Sequence, residues 1–322
     1  PEPRAKLPVK TDYLSTRRDL EPTIKVRGNA YCVLYDQEMG SSMKASEAKL
    51  LDVLLKASQF IIPIYQRTYS WTERECAQLW NDIMRSGQNE ALTAHFVGSI
   101  VYIESGPGSI SVSAPLLVID GQQRLTTISL LLEALARRLG DDEPVDGFSS
   151  AKLRSYYLLR PLEKGDRHFK LLLTQTDRDS LIALVQQKSL PSDASIRVEE
   201  NFAYFQNQIA ELDEVGISAL CHGLSKLVIV DISLNRSQDN PQLIFESMNS
   251  TGRELSQADL IRNFVLMGLE PDIQTALYRE HWRPLELLFG QEAYGVQFDA
   301  FMRHFLTVRT GEIPNIGAVY DA

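Results

Sequence analysis

The sequence of 322 residues lacks several features that would assign it to a common class of protein. No apolar run approaches the roughly 20 residues of a membrane-spanning helix, so we expect no membrane protein. The three cysteines, Cys32, Cys76 and Cys221, are far apart and odd in number, which argues against a disulfide framework and a cysteine zinc site. No apolar signal segment opens the sequence, and a reducing cytoplasm is the expected compartment.

The chain also lacks a positive field and the motifs of common catalytic sites. Its net charge of −9 argues against a protein that coats DNA through general attraction to phosphates, although a local basic groove fits the sequence. The five histidines are scattered without zinc-ligand spacing, and no Ser-His-Asp or Cys-His pairing stands out. Gly-Lys-Ser/Thr occurs nowhere, which excludes a Walker A phosphate loop.

Patterns of apolar residues predict an α+β fold. Buried strands are predicted at 95–104, 114–120 and 226–234, where β-branched and other apolar residues cluster. Helices are predicted with an N-cap at Ser46, from the capping box of Thr72 and Glu75 to a stop at Gly87, and as an amphipathic stripe that ends at Gly140.

The same patterns divide the chain into five stretches. Residues 1–42 are predicted to be an irregular extension with one short strand, 43–147 a core of strands and helices, and 148–225 a mostly helical insertion or lobe. The strand at 226–234 is expected to rejoin the first sheet, in a stretch that ends at 270 and includes a helix capped by Ser256 and Asp259. The segment 271–322 is predicted to be helical.

The joint "VIDGQQRLTT" puts an unusual set of side chains between a predicted strand and a predicted helix. A helix N-terminus favours an anion through its free N–H groups and its dipole. Gly121 allows close approach of a ligand, Arg124 offers a guanidinium suited to phosphate, and Asp120 offers a carboxylate for Mg²⁺ or water. The alternative is an ordinary turn capped by Asp120 and Thr126, and spacing alone favours that alternative.

Two further blocks contain dense polar and aromatic groups. The segment "IPIYQRTYSW", 62–71, combines groups that stack on bases or bind a nucleic-acid backbone, and an ordinary core edge explains it equally well. The segment "FESMNSTGRELSQADLIRN", 245–263, places a polar turn before a second helix N-terminus. A plain connection between helices also explains this third block.

In this order, the three blocks resemble the N-terminal domain of the GmrSD family of modification-dependent restriction enzymes. That family includes the phosphorothioation-sensing SspE proteins and the BREX-associated BrxU proteins. The resemblance covers roughly residues 43–269. It implies a fold similar to that of ParB and sulfiredoxin, in which a Gly-x-x-Arg turn, here Gly121 to Arg124, holds nucleotide phosphates. The stretch 43–147 would then be a ParB-like nucleotide-binding core.

The resemblance also implies an activity and its site residues. It implies hydrolysis of GTP or ATP with Mg²⁺ by a catalytic group in which Asp120 also binds the metal: Asp120, Gln123 and Arg124. Nucleotide binding is implied for a second group: Gly121, Gln122, Arg67, Asn249, Thr251, Gly252 and Arg253. Sensing of modified DNA, phosphorothioated in one branch of the family, is implied for a third: Pro63, Tyr65, Gln66 and Tyr69.

The expected partners are modified DNA and an HNH-type nuclease. This sequence contains no such nuclease segment, so a missing domain or a separate subunit is expected to supply it. A homo-oligomer is compatible with the motifs. The leading hypothesis is an NTP-hydrolysing, DNA-modification-sensing module of an antiphage restriction system. The alternatives are a ParB-like nucleotide-gated DNA clamp without significant turnover and a DNA-binding adaptor with no nucleotide role.

Overall fold

The computed structural model describes most of the chain, namely residues 24–27, 30–33, 44–104, 114–235, 239, 244–245, 256–267, 269–290 and 293–320. It divides into two compact units, Pro1–Ser41 and Ser42–Ala322. In the first unit, β1 (Ile24–Arg27) pairs antiparallel with β2 (Ala30–Val33). The short strand predicted near the start of the chain is therefore present as β2, paired with a β1 that the sequence patterns did not indicate.

In the described residues, the second unit is built around a six-stranded mixed sheet with the order β3–β8–β5–β6–β4–β7. Its strands are β3 (Lys44–Lys49), β4 (Phe60–Ile61), β5 (His95–Glu104), β6 (Leu116–Asp120), β7 (Leu171–Leu172) and β8 (Leu227–Leu234). Strand β8 runs parallel to β5, and β5 runs antiparallel to β6. The strand predicted at 226–234 thus rejoins the sheet, and the α+β class is confirmed.

Helices surround this sheet. They include the α-helices α1 (Leu50–Lys56), α2 (Glu73–Gln88), α3 (Gln122–Leu139), α4 (Ser150–Leu153), α5 (Gln175–Val185), α6 (Ile196–Ala210), α7 (Glu214–Ser225), α8 (Gln257–Leu266), α9 (Pro271–Leu277), α10 (Arg283–Phe289) and α11 (Tyr294–Thr310). A π-helical turn, Tyr278–Trp282, joins α9 to α10, and another, Arg154–Leu158, follows α4. Within the described segments, no helix has the length and apolarity needed to cross a membrane.

Alternate residues of the sheet face two separate apolar clusters. Ile100 and Tyr102 of β5 point into the large core formed with α2, α3 and α6, whereas Val101 and Ile103 pack against Ile119 on the other face. This period of two is the ordinary geometry of a strand covered on both faces. The end of β6, where the predicted site begins, is therefore packed against an apolar cluster on each face of the sheet.

Helix α3 is buried on almost every side, although the sequence predicted one apolar stripe. Its buried polar side chains fit because they form hydrogen bonds within the helix or with a neighbouring element. The hydroxyls of Thr126, Thr127 and Ser129 each donate to the carbonyl four residues earlier. Glu133 accepts from Arg137 at 2.8 Å and from Arg154 at 2.6 Å, while burial raises its pKa. Short polar side chains can thus line a fully enclosed helix.

Two helix boundaries predicted from sequence were wrong. Ser46 is not an N-cap, because 44–49 form the edge strand β3, with Ser46 opposite Asp231 of β8. This strand is almost wholly exposed and has no apolar alternation to reveal it. The capping box of Thr72 and Glu75 is confirmed at the start of α2.

Gly87 is the second wrong boundary, because α2 continues through it to Gln88. A Cβ atom on Gly87 would lie 1.8 Å from the carbonyl oxygen of Ala219 in α7. Facing it, a Cβ atom on Gly223 would lie 2.1 Å from the carbonyl oxygen of Ile83. The two glycines let α2 and α7 cross in close contact, so the residue that suggested a helix stop serves helix packing instead.

Candidate functional site

The glycine turn, residues 120–124, joins the end of β6 directly to the start of α3. Gly121 is the N-cap residue of α3 and has a φ of 98°. A Cβ atom there would lie 3.1 Å from the Ser99 carbonyl oxygen and from Cγ1 of Ile100. Because residues other than glycine rarely adopt this φ, the joint requires glycine. The predicted order of strand, turn and helix is confirmed, and the strand ends at Asp120 as predicted.

Arg124 lies across the neighbouring strand β5. Its Nη1 donates to the Ser99 carbonyl oxygen at 2.7 Å and lies 3.6 Å from Oδ2 of Asp120. The guanidinium covers Gly98, where a Cβ atom would come within 2.5 Å of Cζ. Gly98 has a φ of 110° and sits at a register shift between β5 and β8. An irregularity in one strand thus makes room for the arginine of the glycine turn.

The glycine turn concentrates positive potential at a partly exposed position. The first N–H groups of α3 have no acceptor within the helix, and its dipole adds to their effect. Arg124 adds a full charge on a planar group with five N–H donors, and its side chain is 29% exposed. Asp120 is 27% exposed and balances part of this charge. The arrangement can hold an anion and present a carboxylate beside it.

Two buried glutamines tie the glycine turn to the aromatic loop, residues 63–71. Gln66 in the loop donates through Nε2 to the carbonyl oxygen of Ile119 at 2.8 Å. Gln122 in the turn donates through Nε2 to the carbonyl oxygen of Arg67, also at 2.8 Å. A buried amide without a partner costs about 1–3 kcal/mol, so each contact strongly favours this relative placement. The two segments therefore hold each other through reciprocal bonds.

A third glutamine extends this connection. Oε1 of Gln123 accepts from the backbone N–H of Ser70 at 2.8 Å and of Trp71 at 3.1 Å. Its Nε2 lies 3.4 Å from the carbonyl oxygen of Thr68. The amide thus uses both its acceptor and its donor on the aromatic loop. The first two motif blocks form one hydrogen-bonded unit.

A buried polar cluster of Tyr69, Thr127 and Asn201 connects this unit to the core. The hydroxyl of Tyr69 lies 2.7 Å from Oγ1 of Thr127 in α3 and accepts from Asn201 in α6 at 2.9 Å. The same Asn201 amide donates to the carbonyl oxygen of Trp71 at 2.8 Å. Burial raises the pKa of Tyr69 well above its usual value, so the phenol stays neutral. Asn201 thereby links α6 to both the loop and its tyrosine.

Asp177 at the start of α5 anchors the same loop through its main chain. The backbone N–H of Tyr69 donates to Oδ2 of Asp177 at 2.6 Å. Burial raises the pKa of this carboxyl to about 6, although hydrogen bonds from Ser195 and from the Tyr69 N–H oppose the rise.

The third block reaches the aromatic loop through helix α8. Ser256 caps α8 by accepting from the backbone N–H of Asp259, which confirms the predicted cap. Nε of Arg262 donates to the carbonyl oxygen of Tyr65 at 2.9 Å. The polar turn before α8, with four predicted nucleotide-binding residues, lies outside the described residues: Asn249, Thr251, Gly252 and Arg253.

No cluster of three or more His, Cys, Asp or Glu side chains forms a metal site in the part of the chain that the structure describes. A separate groove of about 860 Å³ lies at the far end of α3, with Arg138, Glu143 and His222 among its lining residues. It contains none of the predicted site residues. The glycine turn and the aromatic loop remain the candidate site, because they unite the motif blocks.

The family model described as the N-terminal domain of the GmrSD restriction endonuclease matches residues 50–266. The chain belongs to this family. The match includes both the glycine turn and the aromatic loop, and it ends with helix α8. The resemblance drawn from the three motif blocks is therefore confirmed.

A relative of this GmrSD N-terminal domain is the uncharacterized protein MJ0686 of Methanocaldococcus jannaschii. The two are 21% identical over 253 residues, which cover 66% of this chain and 40% of the relative. The chain thus spans less than half the length of that protein.

The structure of the GmrSD N-terminal domain places the predicted sensing residues inside the protein. The side chains of Tyr65, Gln66 and Tyr69 are at most 6% exposed, and Pro63 is also buried. Contact of these side chains with DNA would require the aromatic loop to move. Arg67 is partly exposed, and its backbone carbonyl is held by Gln122. The proposed roles of all these residues stay predictions.

The predicted catalytic residues lie together at one end of β6. Asp120 and Arg124 are partly exposed there and face each other. The side chain of Gln123 is used by the aromatic loop, so a catalytic role for it stays a prediction that requires those contacts to break.

Several residues of the unit were missed by the sequence interpretation. Gly98 carried a usable signal, because a glycine inside a strand pattern indicates a bulge or a close approach. Arg262 lies in the third block, within "DLIRN", but the interpretation concentrated on the preceding turn. Asp177 and Asn201 carried no local signal, since their partners belong to distant parts of the chain.

Proposed function

We propose that this GmrSD N-terminal domain binds the triphosphate of GTP or ATP at the glycine turn and hydrolyses it with Mg²⁺. In this proposal it is the regulatory module of a restriction system that responds to modified DNA, with an HNH-type nuclease as its partner. The observation that carries the proposal is the placement of Arg124 beside the N-terminus of α3, with the carboxylate of Asp120 3.6 Å away.

Each group of the glycine turn has a role suited to its chemistry. The first N–H groups of α3 and the guanidinium of Arg124 bind phosphate oxygens, because both are donors directed at negative charge. Asp120 would hold the Mg²⁺ that accompanies the nucleotide. Mg²⁺ commonly takes one or two carboxylates and completes its shell with phosphates and waters, so one carboxylate fits this role. Gly121 keeps the backbone open to the phosphates.

Sensing of modified DNA belongs to the same proposal. Partly exposed residues of the aromatic loop, with Arg67 and Trp71 among them, are available at the surface. The buried Gln66 and the glutamines of the glycine turn connect the loop to the phosphate-binding groups. DNA that shifts the loop would therefore change the geometry of the turn. In this view Tyr65 and Tyr69 transmit the change from within the core.

The proposal is tested by measuring hydrolysis of GTP and ATP with Mg²⁺, with and without modified DNA. Arg124→Ala should lower kcat/KM by at least about a hundredfold, since it removes a charged donor from the phosphates. Arg138→Ala is the matched control, because Arg138 is exposed near the opposite end of α3. Thermal unfolding of each variant checks that the fold is retained. Unchanged turnover in Arg124→Ala would refute the assignment of the turn.

Two other outcomes point to different functions. Slow turnover with nucleotide-dependent self-association would indicate a nucleotide-gated clamp. Equilibrium dialysis that detects no binding of either nucleotide would overturn the proposal and leave a DNA-binding adaptor.

A further inference from the structure

We propose that Arg262 is a positioning residue for nucleotide hydrolysis, which acts on the glycine turn through the carbonyl of Tyr65. The inference rests on the function proposed above. It concerns a residue outside the phosphate-binding groups, and it connects helix α10 and the π-helical turn before it to the site.

Arg262 is an unusually enclosed cation, with a side chain that is 1% exposed. Its three donor groups have separate acceptors. Nε donates to the Tyr65 carbonyl oxygen at 2.9 Å, Nη2 to Oδ1 of Asp259 at 2.8 Å, and Nη1 to Oε1 of Glu286 at 2.5 Å. Burying a guanidinium is costly unless it is paired, and two carboxylates meet that requirement here. The two carboxylates therefore fix the orientation of the guanidinium that donates to the Tyr65 carbonyl.

The Tyr65 carbonyl is one residue away from the bonds that hold the glycine turn. Gln66 donates to Ile119 at the end of β6, and the carbonyl of Arg67 accepts from Gln122 in the turn. Peptide units are planar and share their Cα atoms, so a shift of the Tyr65 carbonyl is passed to both contacts. A displacement of about 1 Å at reacting groups can cost about a hundredfold in rate.

Helix α10 and the π-helical turn before it help to orient Arg262. Glu286 lies on α10, and its second oxygen, Oε2, accepts a hydrogen bond from the Tyr278 hydroxyl. Arg283, on the same helix, lies 3.6 Å from Oε2 and donates to Gln175 at 2.9 Å. Each contact constrains the carboxylate that pairs with Arg262. A change in the packing of α10 would therefore reach the aromatic loop through one ion pair.

A purely structural role would give a different result, and the chain offers a control for it. Arg154 also pairs with a buried glutamate, Glu133, and donates to a backbone carbonyl, that of Val185 at 3.0 Å. Neither partner belongs to the aromatic loop or the glycine turn. The substitution Arg154→Lys therefore makes the same chemical change in a similar setting away from the site.

The experiment compares Arg262→Lys, Glu286→Gln and Arg154→Lys in the full chain. Steady-state hydrolysis of GTP or ATP with Mg²⁺ gives kcat and KM, thermal unfolding gives stability, and amide hydrogen exchange reports on the aromatic loop. Lysine keeps the charge but lacks the fork that reaches three acceptors. Arg262→Lys should lower kcat by about tenfold at saturating nucleotide and speed exchange in residues 65–71. Glu286→Gln should act in the same direction with a smaller loss.

Arg154→Lys should lower stability while leaving kcat and loop exchange unchanged. The inference is overturned if Arg262→Lys lowers kcat no more than Arg154→Lys does, or if loop exchange is unaltered. If Arg262→Lys does not fold, Glu286→Gln decides by the same two readouts. Normal turnover in both variants together with loss in Arg124→Ala would leave the proposed function standing and refute only the positioning role. A wild-type chain without hydrolysis refutes both.

Discussion

Substitution of Asp177 by asparagine should remove a defined part of the pH dependence of folding. The carboxyl is 1% exposed, and burial raises its pKa from the ordinary 3.8 to about 6. A carboxyl whose pKa is higher in the folded than in the unfolded state binds its proton more tightly when folded. Its contribution to stability is therefore fully present below pH 3.8 and is lost as the pH rises through about 6.

The magnitude follows from the two pKa values. One pH unit corresponds to about 1.36 kcal/mol, so the full contribution is about 3 kcal/mol. About 2 kcal/mol of it falls between pH 4.5 and pH 7.5, where folding can be measured conveniently. Asparagine keeps the size of the side chain and an oxygen that can accept from the Tyr69 N–H. It carries no charge, so it avoids the cost of burying a carboxylate at neutral pH.

Urea unfolding at a series of pH values measures this effect. The difference in unfolding free energy between Asp177→Asn and the wild type should move by about 2 kcal/mol in favour of the variant from pH 4.5 to pH 7.5. Asp179→Asn is the control, because this carboxylate is exposed on the same helix. A difference that stays constant with pH would refute the reasoning, since it would mean that folding does not change the proton affinity of Asp177.

Two further predictions concern glycines. Gly87→Ala should lower the unfolding free energy by about 3 kcal/mol, because the new Cβ would meet the Ala219 carbonyl. Gly216→Ala in α7 should change it by less than about 1 kcal/mol in the same urea titrations, since it meets the flexible end of a leucine. Gly98→Ala should weaken nucleotide binding in dialysis about tenfold by displacing the Arg124 guanidinium, whereas Gly311→Ala, with open space around it, should not.

The local parts of the fold could be predicted from the sequence. Strand β5 and the end of β6 were predicted at the observed residues, and the start of α2 was predicted from its capping box. These features depend on neighbouring residues, namely apolar runs, a turn glycine and a side chain that caps its own helix. The edge strand β3 escaped because its exposed residues carry no pattern of burial.

The connections within the candidate site could not be predicted in this way. Gln66 and Ile119 are 53 residues apart, Gln122 and Arg67 are 55 apart, and Arg262 and Tyr65 are 197 apart. Each contact joins a side chain to a backbone carbonyl, and a carbonyl leaves no mark on the sequence. The motif blocks indicated which segments matter. Only the folded chain shows that buried amides and a buried arginine join them.

The glycine turn "DGQQR" has two glutamines because it must both bind the aromatic loop and leave its positive potential free for an anion. The backbone N–H groups at the start of α3 are the donors that an anion would use. The turn must therefore bind the aromatic loop through its side chains and not through these N–H groups. Gln123 both accepts from Ser70 and donates toward Thr68, which a carboxylate cannot do. A glutamate at 122 would face the Arg67 carbonyl as a second acceptor and would place negative charge where the phosphates are proposed to bind. Neutral amides thus hold the aromatic loop while leaving the positive potential of the turn to a ligand.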